Sequence, residues 1–126
     1  MNRPFQITAR LHSFKYAFNG LRLLLRSQHN AWIHLTATIL VLLTGFICSF
    51  RQADWCWVVL AMVAVWTAEA FNTALEFLAD AVTEDSNPLI AQAKDVAAAA
   101  VLIMAVGAVI IGVLVIGPYL REVISF

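Results

Sequence analysis

Between Val96 and Ile116 the chain carries no charged residue, and about 20 apolar residues in succession are what a helix needs to cross the hydrocarbon of a bilayer. Two further runs have similar length. One extends from Ala31 to Phe50 without a formal charge, and the other runs from Trp55 to about Ala79. Backbone groups in hydrocarbon must find partners within their own segment, so runs of this kind become helices. The expected fold is an all-α membrane protein with three transmembrane helices, spanning about 31–50, 55–79 and 96–117. Composition agrees: 62% of residues are hydrophobic and 13% charged, where soluble domains have about half and a quarter. Net charge is zero, which argues against nucleic acid as a partner held by overall basicity.

The segment before the first span has a different pattern. Leu11, Phe14, Phe18, Leu21 and Leu25 recur at three and four residues, interleaved with Arg10, His12, Lys15, Arg22 and Arg26. This predicts an amphipathic helix over about 8–28, lying in the membrane interface with its basic groups toward phosphates. No cleaved signal peptide is expected, because Met1 to Gln6 leads into a basic segment rather than a short apolar core. Five of the eight basic residues precede the first span. The amino end is therefore expected on the cytoplasmic side, the 51–54 turn outside and the 81–95 loop inside. Trp32, Trp55 and Trp57 fall at expected membrane boundaries. Cys48 and Cys56 do not make a CxxC pair and read as small buried hydrophobes. Asn87 followed by Pro88 is a helix start, with Asn as cap and Pro in the first turn.

The second span contradicts its surroundings. Glu69, Asn72, Glu76 and Asp80 are spaced by three, four and four residues, which gathers them within an arc of about 80° on one helix face. An ionised carboxylate at the centre of a bilayer costs at least ~2.5 kcal/mol. A stripe of them calls for shelter or a use, and three helices give little shelter, so association of subunits is expected. Glu69 lies about 10 Å deeper than Glu76. A desolvated carboxylate at that depth suits a general base for an alcohol arriving from the lipid. Glu76, Asp80 and Asp95 are hard oxygen donors of the kind Mg²⁺ shares with phosphates, and Lys94 beside them suits a phosphate. Together they permit phosphoryl transfer, where positioning and charge neutralisation supply most of the catalysis. The same residues can also pair with each other across subunits, or line a proton or cation pathway. No GxxxxGK[ST], His-Arg-Asp or Asp-Phe-Gly motif is present, so a kinase reading needs a different design.

Four segments carry a resemblance. Glu69-Ala70-Phe71-Asn72-Thr73-Ala74-Leu75-Glu76, followed by Ala93-Lys94-Asp95-Val96-Ala97-Ala98-Ala99-Ala100-Val101, resembles the signature of the small membrane-integral bacterial lipid kinases. These are the prokaryotic diacylglycerol kinases and the related undecaprenol kinases. Ser13 to Leu21 is similar to the family's amino-terminal segment, and Asn30-Ala31-Trp32-Ile33-His34 to the start of its first span. The resemblance covers nearly the whole chain as one integral-membrane domain, residues 1–126. It implies a homotrimer with active sites shared between neighbours, in which MgATP phosphorylates a lipid alcohol at the cytoplasmic interface. It further implies Glu69 as catalytic base, Glu76 as metal ligand and Asn72 as support. Tyr16 would lie against the nucleotide, and Lys94 with Asp95 would bind its phosphate and ribose region. Asp85, Ser86 and Asn87 occupy the family's nucleotide-contacting loop, although their identities match less well.

One departure stands out. Gln28 occupies a position where the family usually has a glutamate as second metal ligand. An amide oxygen can coordinate Mg²⁺ but brings no charge, so the expected consequence is weaker metal binding, or a role for Asp80 in its place. The Asn30-x-x-Ile33-His34 segment and Asn87-Pro88-Leu89 look more like the undecaprenol kinases, with the diacylglycerol branch close behind. The apolar faces do not separate a prenol from a diacyl tail. The rival to a lipid kinase is a non-enzymatic membrane scaffold or an ion-conducting oligomer that uses the same acidic stripe.

Overall fold

The computed structural model describes residues 7–82 and 87–125, and they form four helices: α1 (Ile7–Ser27), α2 (His29–Ile47), α3 (Gln52–Val82) and α4 (Pro88–Ile124). The last three are long and apolar enough to cross a membrane. The fold is thus all-helical with three spans, as the apolar runs require. Their limits differ from the expected ones. The α2 helix stops at Ile47 because Ser49 takes a left-handed conformation, φ 52°, and turns the chain back toward α3. The α4 helix begins far before its uncharged stretch. Asn87 caps it through Oδ1, which accepts from the Leu89 N–H at 2.9 Å, and Pro88 takes the first helical position. That cap is the one the Asn-Pro pair predicts.

The three long helices form two antiparallel hairpins, and cross-helix contacts fix their register. Gln28 meets Glu76, His34 meets Glu69 and Thr38 meets Trp66, so the residue numbers of each α2–α3 pair add to 103 or 104. Between α3 and α4, Asp80 meets Lys94 and Asp54 meets Tyr119, adding to 174 and 173. At about 100° per residue Lys94 and Tyr119 fall within about 20° of each other around α4, so one face of α4 makes both contacts.

The inward face of α3 changes character along its length. Its buried residues are Asp54, Val58, Ala61 and Val65 in the first half, then Glu69, Asn72 and Thr73. The deeper half of the polar stripe, Glu69 and Asn72, is therefore the continuation of the core face, while Glu76 is half-buried and Asp80 exposed. Cys48 and Cys56 are free thiols, Cys48 half-buried and Cys56 exposed. The α1 helix touches the bundle near its end, where Leu24 is buried. Leu11, Phe14, Phe18 and Leu21 remain exposed along it.

The end remote from the stripe is tightly fastened. Tyr119 donates its hydroxyl to Asp54 Oδ2 at 2.6 Å, and Arg51 Nε donates to the same oxygen at 3.1 Å. The Arg51 backbone N–H in turn donates to the Tyr119 hydroxyl at 3.2 Å. Phe50, Val58 and Val115 form a small core beneath this cluster, with Trp55 packed against it. Gly45 makes the turn close enough. A Cβ there would sit 2.6 Å from Trp55 Cη2 and 3.0 Å from Phe50 Cδ2. Trp55 cannot easily yield, because its ring is held between Phe46 and Phe50 at centroid distances of 5.0 and 5.6 Å. Gly45→Val is therefore expected to destabilise the protein by about 1–3 kcal/mol through overpacking. Unfolding in detergent followed by circular dichroism would check this, and an unchanged midpoint would contradict it.

Candidate active site

At the stripe end, two helices bring three polar side chains together. Gln28 stands between α1 and α2 with extended backbone, φ −112° and ψ 120°, which aims its side chain across to α3. Its Nε2 donates to Glu76 Oε2 at 2.8 Å. Asn72, one turn earlier on α3, donates its Nδ2 to Glu76 Oε1 at 3.1 Å. Both carboxylate oxygens of half-buried Glu76 thus accept amide hydrogens, an arrangement that suits an anion in a poorly hydrated place. Asn72 Oδ1 is left buried without a hydrogen-bond partner.

Glu69 occupies a different environment. It is 0% exposed and the largest fully buried side chain among the described residues. Neither of its carboxylate oxygens makes a hydrogen bond. Thr73, one turn on, donates to the Glu69 backbone carbonyl at 2.9 Å and leaves the carboxylate alone. The nearest opposing group is His34 on α2, whose Nε2 lies 3.6 Å from Glu69 Oε2. That is contact without a hydrogen bond, and Nε2 is itself unpartnered. The structure sets His34, unbonded at Nε2, against the most buried carboxylate. The expected connection at 51–54 lies at 48–51 instead, since Gln52 already opens α3, and folding α2 back on α3 about a short turn of this kind is the signal that brings position 34 near position 69.

The remaining expected residues are placed less centrally. Asp80 is exposed and accepts from Lys94 Nζ at 3.0 Å, so within the chain it is paired with Lys94. Asp95 is exposed on α4. Tyr16 is 70% exposed on α1. Asn87 caps α4, while Asp85 and Ser86 lie outside the described residues.

A divalent cation finds a fitting but incomplete donor set here. Among the described residues no three His, Cys, Asp or Glu side chains converge as a metal cage. Mg²⁺ does not need one, since it is commonly held by one or two carboxylates together with substrate phosphates and water. Glu76 offers the carboxylate, and the unpartnered Asn72 Oδ1 is a hard oxygen one turn away.

The profile of the prokaryotic diacylglycerol kinases matches residues 15–116, a stretch that holds α2, α3 and nearly all the groups just described. The chain belongs to this family. It is accordingly an enzyme, a lipid kinase of the membrane. Among its relatives is an undecaprenol kinase of Bacillus subtilis, 35% identical over 108 residues that cover 86% of this chain and 88% of that protein. Another is a diacylglycerol kinase of a Synechocystis species, 34% identical over 103 residues. The match takes in 81% of this chain and 59% of that longer protein.

Proposed function

We propose that this family member transfers the γ-phosphoryl group of MgATP to the terminal hydroxyl of undecaprenol, with diacylglycerol as the second choice of lipid alcohol. The reaction takes place at the cytoplasmic face of a bacterial inner membrane, in a homotrimer of single-domain subunits with α1 in the interface. The observation that carries the reading is the division of the α3 stripe by depth. Glu69 is buried with an unsatisfied carboxylate, and Glu76 sits about 10 Å nearer the end of the span in an anion-binding cradle of two amides. Near-complete mutual coverage with the undecaprenol kinase, against partial coverage of the longer diacylglycerol kinase, favours the prenol.

In this reading Glu69 removes the hydroxyl proton as the lipid oxygen attacks the γ-phosphorus. Bound Mg²⁺ supplies neutralisation of phosphate charge. Glu76 would hold the metal, supported by Asn72, with the side-chain amide oxygen of Gln28 as a further, uncharged donor. Lys94 leaves Asp80 for a phosphate, with Asp95, Asn87, Asp85 and Ser86 around the nucleotide and Tyr16 against it.

Purified protein in mixed micelles with labelled ATP and Mg²⁺ tests the reading when both alcohols are run side by side. Undecaprenol is expected to give the higher kcat/KM. Preference for diacylglycerol reverses the choice of lipid, and transfer to neither with cation flux in vesicles supports the ion-conducting alternative. Gln28→Glu is expected to lower the Mg²⁺ concentration needed for half-maximal rate by roughly 10-fold, the lower end of single changes around a metal. An unchanged or raised requirement, read from a Mg²⁺ titration, would remove this position from the ligand set.

A further inference from the structure

The reading of Glu69 as base leaves its proton unaccounted for. Once the carboxylate has taken a hydrogen from the lipid it is neutral, fully buried and unable to act again until that hydrogen leaves. Neither carboxylate oxygen has a hydrogen-bond partner. The α3 neighbours offer no base to it: Thr73 donates to the backbone carbonyl and Asn72 donates to Glu76, and neither a hydroxyl nor an amide oxygen is basic enough to carry the proton away. The Lys94–Asp80 pair is anchored 11 positions farther along α3, about 16 Å by helical rise. Among the described residues His34 is the one ionisable side chain paired with Glu69.

The His34 ring is held in place. Its edge packs on Trp66 in a T-shaped contact with centroids 6.3 Å apart. Trp66 is fixed in turn by its indole N–H, which donates to Thr38 Oγ1 at 3.0 Å. Thr38 is one turn beyond His34 on α2, so the ring, the indole and the hydroxyl form a closed frame across two helices. This frame leaves Nε2 aimed at Glu69 Oε2, 3.6 Å away. Two buried acceptors facing each other without a hydrogen are both unsatisfied, whereas one hydrogen between them satisfies both. The exposures of the pair are unequal: 15% of the His34 side chain is accessible and 1% of Glu69. A hydrogen passed from Glu69 to His34 has moved to the less enclosed of the two side chains.

We propose that His34 is the positioning and proton-accepting partner of Glu69, a role that rests on the reading of Glu69 as base. In each turnover the lipid O–H bond breaks and its proton goes to a Glu69 carboxylate oxygen. The lipid oxygen bonds to the γ-phosphorus of ATP, and the bond from that phosphorus to the departing oxygen breaks, its electron pair leaving with ADP. The proton then crosses from Glu69 Oε2 to His34 Nε2, and the imidazolium releases it to water, which restores both groups. The 3.6 Å separation closes by a few tenths of an ångström to a hydrogen bond when substrate arrives, as catalytic pairs commonly tighten on binding.

The test uses full-length protein in mixed micelles with ATP, Mg²⁺ and undecaprenol or diacylglycerol, whichever is phosphorylated faster. His34→Ala is expected to lower kcat by roughly 10²-fold, the lower end of what proton-transfer groups contribute, with KM for ATP unchanged. Imidazole in the buffer is expected to restore part of that rate. His34 lines a largely apolar cavity of about 330 Å³ together with Val41, Val65, Trp66 and Ala105, so the neutral free base has space beside the vacated position. His34→Gln keeps much of the side-chain volume and its hydrogen bonding but cannot relay the proton, and its kcat is expected to stay low. If the alanine variant fails to fold, judged by helical circular dichroism and particle size in detergent, the glutamine variant decides. A His34→Gln kcat within about threefold of wild type, or a folded alanine variant that imidazole leaves unrevived, overturns the proposal. Glu69→Gln is run in parallel. Full activity there defeats the base reading itself, whereas an inactive Glu69→Gln beside a fully active His34→Gln defeats only the role of His34.

Discussion

Glu69→Gln is expected to leave a well-folded protein that turns over at least about 10²-fold more slowly, and as much as 10⁴-fold, the range that a positioned acid or base supplies. The substitution keeps shape and volume and removes the capacity to accept a proton. Folding should not suffer, because the native carboxylate has no hydrogen bond to lose and burying a neutral amide costs less than burying a charge. KM for ATP should barely move, since Glu69 lies about 10 Å from the amide cradle of Glu76. The combination of retained thermal stability, retained ATP affinity and lost kcat separates chemistry from damage. Steady-state kinetics beside a thermal melt would show it, and a variant that keeps more than a tenth of wild-type kcat would contradict it.

Glu76→Gln is expected to fail in another way. The two amides that point hydrogens at Glu76 would face a third amide, which can accept at one atom only, so one buried donor loses its partner at about 1–3 kcal/mol. The metal also loses its carboxylate. Half-saturation by Mg²⁺ should rise by at least about 10-fold, the lower bound for disturbed metal surroundings, and part of the rate should return at high Mg²⁺. Glu69→Gln should show no such return. If raising Mg²⁺ leaves Glu76→Gln unchanged while stability is intact, Glu76 does not hold the metal.

Much of this was readable before any coordinates. Absence of charge from Val96 to Ile116 fixed a span, and the spacing of Glu69, Asn72 and Glu76 fixed their common face, because both follow from the geometry of one helix. Asn87 and Pro88 marked a helix start for the same local reason. What escaped was whatever depends on two helices at once. The partner of Asp80 is Lys94, 14 positions away, and spacing within one helix cannot reveal a contact across a turn. The apposition of His34 and Glu69 belongs to the same class. Once the turn between α2 and α3 is granted, however, a single antiparallel register accounts for the pairs at 28 and 76, 34 and 69, and 38 and 66. The helix limits shifted because a left-handed Ser49 and a side-chain cap end helices irrespective of where apolar sequence ends. Asp54 with Tyr119 was missed because a tyrosine near a membrane boundary already has an interfacial explanation.

The two polar contacts of α4 have a mechanical consequence. That helix is apolar around nearly its whole circumference, with Val96, Leu102, Ile103, Val109, Ile110, Val113 and Leu114 all exposed. Surrounding hydrocarbon exerts no torque on such a cylinder, because every azimuth dissolves equally well. The α4 helix therefore behaves as an axle, and its angle is indexed by Tyr119 on Asp54 at one end and Lys94 on Asp80 at the other. If Lys94 leaves Asp80 for a phosphate, as proposed, the distant tyrosine is the polar contact that still indexes the axle, beside the packing of Ala97, Val101 and Val115.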